Sequence, residues 1–275
     1  MAYVNYTYQD RDHVGEVTGN IITPLEGITS VGPDTSKEVL DNAIRLEATQ
    51  LSLSEVTLRA ASPCAGKVVC VGLNYKSHVA ETNRDLPTYP VMFPKFASSL
   101  IGPTADIQLP PEATQFDYEG ELAVIIGRAG RRITEANALK HVLGYAVCND
   151  VTVRNYQYKT HQWMQGKAWD NSTPLGPYIV TPSEVDLATA GISTVLNGEV
   201  VQKSDLSYLI FSIPSLIAII SEFTELQPGD VILTGTPSGV GYRRDPQLFL
   251  QEGDIVTVSI EGVGSVSNKV VAESV

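Results

Sequence analysis

Apolar residues in this chain fall in short runs punctuated by glycine, proline and charged turns, a rhythm that predicts mostly β-strands. Tyr3-Val4-Asn5-Tyr6-Thr7, His13-Val14-Gly15-Glu16-Val17 and Asn20-Ile21-Ile22-Thr23-Pro24-Leu25 read as three successive strands. Between 36 and 50 the interval changes. Val39, Leu40, Ala43, Ile44 and Leu46 recur at helical spacing and predict an amphipathic helix. These pieces make a small leading α+β unit over residues 1–60. A polar linker, Ser62-Pro63-Cys64-Ala65-Gly66, then leads into a larger unit over residues 66–275.

The larger unit starts with the strand Lys67–Gly72 and a short helix over Lys76–Thr82. Further on, Thr134 is placed to cap a helix ending near Val142, with Lys140 and His141 at the end that favours cations. A second helix is predicted from Ser215 to Phe223. Pro214 suits its first turn, and Leu216, Ile217, Ile220 and Phe223 form a buried stripe. Ser193–Val200 reads as a hairpin around Asn197-Gly198, and Val231–Leu233 and Asp254–Ile260 as strands. No strand–helix–strand repeat carries a nucleotide fingerprint. The pattern therefore favours an α+β fold over a doubly wound sheet.

Composition narrows the function classes. The 275 residues are 43% hydrophobic, with 22 Gly and 16 Pro, as expected of an ordered chain with many turns. A net charge of −12 argues against non-specific nucleic-acid binding, which draws on basic patches. It leaves room for a small anionic substrate, because a bound cation can reverse the local field. Cys64, Cys70 and Cys148 form no close-spaced metal knuckle and are odd in number, which suggests a reducing compartment. Neither a secretory leader nor a membrane span is expected, since the apolar run Leu209–Ile220 is broken by Ser212, Pro214 and Ser215. The expected location is the cytoplasm.

Candidate chemistry centres on Phe116-Asp117-Tyr118-Glu119-Gly120-Glu121-Leu122. In a strand, Glu119 and Glu121 point to the same face, with Gly120 between them leaving room. Asp150 ends the next apolar stretch. Two glutamates from one strand and an aspartate from another make a hard oxygen site suited to Mg²⁺ or Mn²⁺. Taken by spacing alone, a solvated strand edge decorated with acids is the better reading, because Glu-x-Glu is common on solvated faces. His78 and Glu81, three apart, share a face of a short helix, where the glutamate can orient the imidazole.

These residues sit among Gly72–Glu81, Pro90–Lys95, Asp117–Leu122, Gly144–Thr152, Gln165–Asp170 and Gly229–Gly241. In order and spacing the set resembles the fumarylacetoacetate hydrolase family over roughly residues 66–270. The leading unit resembles the variable N-terminal segment of bacterial members. The resemblance implies a mostly β catalytic domain with a rolled mixed sheet, and Mg²⁺ or Mn²⁺ on Glu119, Glu121 and Asp150. It also implies a homodimer, with each site complete in one subunit. The implied chemistry stabilises an enolate beside a metal-chelated 2-oxo acid. The foremost expectation is hydrolysis of the C–C bond of an acylpyruvate or related 2,4-dioxo acid such as fumarylpyruvate. Oxaloacetate decarboxylation, isomerisation or hydration of a related 2-oxo acid, and a non-catalytic ligand-binding member are the alternatives.

The same resemblance assigns roles. His78 and Glu81 become a general-base pair on a segment that closes over the site, and Lys167 the partner of developing negative charge. Arg154, Gln157, Gly235 and Thr236 become substrate contacts, and Lys95 a structural residue or one standing behind the ligands. Two positions depart from the family pattern. Asn155 replaces an acid that could pair with Arg154, and Phe96 stands where proline is commoner.

Overall fold

The computed structural model describes residues 1–82 and 85–274. Strands β1 (Ala2–Tyr8), β2 (Arg11–Thr18) and β3 (Ile21–Pro24) form an antiparallel meander, as their alternation predicts. Helix α1 is shorter than its periodicity, spanning only Lys37–Asn42 behind an N-cap at Ser36. The reason is competition for backbone partners. Ile44 O accepts from Glu26 N, and Leu46 N donates to Pro24 O, so the chain leaves the helix to pair beside the end of β3. Leu40 is buried, whereas Val39 and Ile44 are exposed.

Strand β4 (Val68–Gly72), helix α2 (Lys76–Glu81) and strand β5 (Val91–Lys95) come next, then β6 (Gly120–Ile126). One α-helical turn, α3 (Glu135–Ala138), tightens into a 3₁₀ turn over Leu139–His141 before β7 (Val142–Asn149) begins. Thr134 occupies the N-cap, but its side chain makes no capping bond. Two single-turn helices, α4 (Arg154–Gln157) and α5 (Met164–Lys167), precede β8 (Thr173–Val180). The chain ends with the hairpin β9 (Gly191–Leu196) and β10 (Glu199–Asp205), then α6 (Ile213–Phe223), β11 (Val231–Leu233), β12 (Ile255–Ile260) and β13 (Gly264–Ala272).

The fold is α+β and mostly β. Its larger sheet runs β3-β2-β1-β8-β7-β6-β11-β4-β5, with the short strand Leu51–Ser52 outside β3. It is mixed, because β11 and β4 run parallel while β6 pairs antiparallel with both β7 and β11. β1 pairs with β8 through Ala2↔Val180 and Tyr3↔Ile179, so the leading strands hydrogen-bond into the same sheet as the rest. A second sheet, β10-β9-β12-β13 with Ile107–Leu109, lies against the first.

β6 is buried on both faces, which is why its sequence is continuously apolar rather than alternating. Leu122, Val124 and Ile126 pack with Val258 and Ile260 of β12 and with Leu216, Ile217 and Ile220 of α6. Ala123 and Ile125 face the opposite cluster, with Leu40, Val68, Cys70 and Cys148. Phe223 does not complete the α6 stripe; it is 57% exposed. The inward position in that last turn belongs to buried Ser221, whose Oγ accepts from Ile133 N and donates to Ala218 O. Among the described residues, no helix is long and apolar enough to cross a membrane.

Candidate active site

The register of β6 and β7 brings the three acids together. Gly120 pairs with Asn149 and Glu121 with Cys148, so Glu119 and Asp150 flank the same end of the strand pair. Asp150 N donates to Glu119 O at 2.8 Å, and Glu119 N donates to Asn149 Oδ1 at 2.9 Å. One carboxylate oxygen from each of Glu119, Glu121 and Asp150 lies within 4.8 Å of the other two, and all three residues are buried. The solvated-edge alternative is thereby excluded. Gly120 does not serve to separate the glutamates. A Cβ there would fall 2.4 Å from Thr194 Oγ1 and 3.0 Å from Val258 Cγ1, so the glycine lets the second sheet approach from the other face.

Three cations meet this cluster. Lys167 Nζ donates to Glu119 Oε2 at 2.6 Å and to Asp150 Oδ2 at 2.8 Å. Lys95 Nζ donates to Asp150 Oδ1 at 2.7 Å and to Val151 O at 3.0 Å. Arg154 Nη2 lies 2.7 Å from Glu119 Oε1 and 2.8 Å from Asp117 Oδ2. Glu121 differs. Its Oε2 accepts from Gly235 N at 2.8 Å, and no lysine or arginine among the described residues pairs with it.

The titration behaviour follows from this asymmetry. Burial pushes Glu119 upward, but the Lys167 ammonium and the Arg154 guanidinium outweigh it and hold the carboxyl below its ordinary range. Burial, then the charges of Asp150 and Glu119, push Glu121 well above its ordinary range. Burial alone would lower Lys167, yet Asp150 and Glu119 raise it, so Lys167 is a fixed positive charge at neutral pH and not a base. Three converging carboxylates, one without a matching cation, fit a hard divalent ion. Glu119, Glu121 and Asp150 are the residues that would hold it.

Across a narrow cavity of about 30 Å³, also lined by Gln157, Lys167 and Thr236, stands His78. Its Nδ1 is 2.5 Å from Glu81 Oε1, and Glu81 Oε2 accepts from Gly239 N at 2.9 Å. The glutamate thus ties the imidazole to the loop after β11 and leaves Nε2 for a bound molecule. The entry to α2 is fixed by Leu73 in the left-handed region (φ 58°) and by Asn74, which donates to Thr234 O and Phe211 O and accepts from Phe211 N. Gly235 lies against this clamp with φ 102°, and a Cβ there would meet Asn74 Cβ at 2.8 Å.

Of the residues assigned to substrate, Arg154 and Gln157 touch each other. Arg154 Nη1 donates to Gln157 Oε1 at 2.9 Å, which leaves the Gln157 NH₂ as a free donor type toward the cavity. Thr236 lines the cavity, but its hydroxyl donates to Gly120 O and accepts from Gln202 Nε2. The Gly235 N–H is directed to Glu121 and does not line the cavity.

Residues 67–271 match the family model described as fumarylacetoacetate (FAA) hydrolase C-terminal. The chain belongs to this family. It is 42% identical to human mitochondrial oxaloacetate tautomerase FAHD2A over 274 residues, covering 94% of this chain and 87% of that one. The 5-carboxymethyl-2-hydroxymuconate delta-isomerase of Mycobacterium smegmatis superposes with a TM-score of 0.84 at 35% identity, over 99% of this chain and 100% of that one. The maleylpyruvate hydrolase of Sphingobium sp. SYK-6, solved with manganese(II) and pyruvate, superposes with a TM-score of 0.78 at 26% identity over the whole of both chains. This chain is therefore an enzyme of the fumarylacetoacetate hydrolase family, whose named relatives here are a tautomerase, an isomerase and a hydrolase.

Several residues of this family member's site escape a sequence-only reading. Asp117 is the true partner of Arg154, accepting from its Nε at 2.9 Å and also from Gly241 N and Tyr242 N. Its place two residues before Glu119 was the available signal. Lys95, by contrast, stands behind the ligands as the sequence reading has it, donating to Asp150. Asn155 is a loop clamp, not a failed ion pair: its Oδ1 accepts from Thr114 N and Gln115 N, and its Nδ2 donates to Glu112 O. Phe96 is exposed.

Proposed function

We propose that this protein enolises a small 2-oxo dicarboxylic acid, with oxaloacetate as substrate, and carries a proton between C3 and the 2-oxygen. The observation that carries this reading is the His78–Glu81 pair fixed across a small cavity from a buried carboxylate triad with Lys167 beside it. Identity to an oxaloacetate tautomerase along nearly the whole chain supports it. Mg²⁺ or Mn²⁺ held by Glu119, Glu121 and Asp150 would supply a Lewis acid for the 2-oxo oxygen and its neighbouring carboxylate.

The chain's own groups do the rest. Glu81 holds Nδ1 of His78, so Nε2 takes the C3 proton. The C–H electron pair becomes the new C=C bond and the carbonyl π pair moves onto oxygen. Lys167, charged throughout, stabilises that oxygen as negative charge develops, and His78 then returns the proton to it. The Gln157 NH₂ orients the adjacent carboxylate. The reverse sequence regenerates the ketone.

The test follows the decay of enol-oxaloacetate by ultraviolet absorbance in metal-loaded protein. Acceleration over buffer is expected, with a loss of about a hundredfold or more in His78→Ala. No acceleration by the wild type would overturn the reading.

C–C hydrolysis of an acylpyruvate is the second reading, supported by the full-length likeness to a maleylpyruvate hydrolase solved with pyruvate. There the same His78 would take its proton from water, and turnover of fumarylpyruvate or acetylpyruvate exceeding enolisation would favour it. Decarboxylation of oxaloacetate needs no such base and would survive His78→Ala. We propose further that the working unit is a homodimer, as the exposed Tyr208 beside an apolar groove of Leu206, Leu209 and Ile213 suggests. A monomeric mass by light scattering, with full activity, would refute it.

A further inference from the structure

The cavity wall carries three always-charged cations, Arg154, Lys167 and Arg243. The two inner ones already have carboxylate partners. Arg154 is paired with Asp117 and Glu119, and Lys167 with Glu119 and Asp150. Arg243, in the short turn Gly241–Arg243, has no carboxylate partner among the described residues. Its guanidinium is held only against the Tyr242 ring, 5.3 Å from the centroid. The same ring lies 5.9 Å from the Arg154 guanidinium.

The backbone beneath Arg243 is not loose. Gly241 N and Tyr242 N both donate to Asp117, at 2.8 and 3.0 Å, and Arg244 ties the loop to Gly239 O and Val201 O. Asp117 is also the anchor of Arg154. The turn that presents Arg243 is therefore registered, through one buried carboxylate, to the cluster that would hold the reacting end of the substrate. A free guanidinium on a fixed perch at the edge of a cavity is a receptor for an anionic group.

We propose that Arg243 is a specificity-determining residue that binds the distal carboxylate of a 2-oxo dicarboxylic acid. The inference rests on the enolisation reading for the substrate class, but its geometry stands on the unmatched charge. The reacting 2-oxo end lies at the triad and the far carboxylate meets Arg243, so a dicarboxylate spans the cavity and a monocarboxylate does not.

Malate and lactate are stable 2-hydroxy acids that differ by the distal carboxylate. Calorimetry on Mn²⁺-loaded wild-type protein should find malate bound about tenfold or more tightly than lactate. Arg243→Gln should bring the two within about twofold, and Arg243→Lys should retain part of the preference. In turnover, Arg243→Gln should raise KM for oxaloacetate with kcat little changed, the split expected for lost substrate binding. Arg243→Met provides a second uncharged variant should Arg243→Gln melt differently from wild type. Equal affinities in the wild type, or a malate preference that survives both uncharged variants, would overturn the proposal. A preference abolished by the variants in a protein that does not enolise oxaloacetate would uphold Arg243 and sink the enolisation reading alone.

Discussion

The floor and the rim of the site are held by different means. The floor residues Glu119, Glu121, Asp150, Lys95 and Lys167 are all at most 5% exposed, fixed by strand register and by interlocking ion pairs. The rim is the six-residue helix α2, which carries His78 and reaches the opposite loop through the Glu81 carboxylate on Gly239 N. The cavity between them has room for about two water molecules. The rim is the side with fewer bonds. Under the proposed enolisation the two regions divide the work: the floor fixes charge, and the rim carries the proton through His78.

Breaking the floor should have the largest effect. Asp150→Asn leaves Lys95 and Lys167 without a shared partner and removes a candidate ligand. Both Mn²⁺ binding by calorimetry and turnover should fall, turnover by about a thousandfold or more. His78→Ala should instead spare Mn²⁺ binding while costing turnover about a hundredfold or more. Equal loss of metal in both variants would erase the distinction between the two regions. Glu81→Gln, which keeps the shape but weakens the hold on His78 Nδ1, should lower kcat about tenfold and leave the melting temperature within a few degrees.

Acidity sharpens the contrast further. Glu121 is raised in the folded protein above its ordinary value of 4.5. Without metal, the folded state keeps a proton that the unfolded chain releases. The stability tied to this group is therefore full below pH 4.5 and lost as pH rises through the raised folded value. A cation relieves that penalty, so the gap in melting temperature between metal-loaded and chelated protein should widen from pH 4.5 to 8. A gap independent of pH would show that Glu121 is not the uncompensated group. Asn155→Ala, remote from both regions' chemistry, should cost about 1 kcal/mol of stability, some 2–4 °C, with kcat unchanged.

What the sequence reveals depends on the distance over which a residue's reason acts. The three acids are legible as candidates from their spacing, and as one site only through the motifs around them that carry the family resemblance. β6 is legible as a strand from its unbroken apolar run. Charge matching is not legible, because Lys95 meets Asp150 across 55 positions and Asp117 meets Arg154 across 37. Element ends fail for the same reason. Helix α1 stops where Ile44 and Leu46 find partners near β3, and Phe223 yields its inward place to Ser221. The exposed Phe96 has no contact that explains why it stands there.

Gly120 also bears on how this enzyme can change over generations. With Thr194 and Val258 filling the space a Cβ would need at Gly120, the chain between the two glutamates has no slack on that side. A mutation in the second sheet that sought to reshape the pocket would first have to move the acids, and the catalyst would be lost before a new substrate was gained. Innovation is thus steered to the opposite wall, at rim side chains such as Tyr242 and Arg243 that line the cavity and can change without moving the acids.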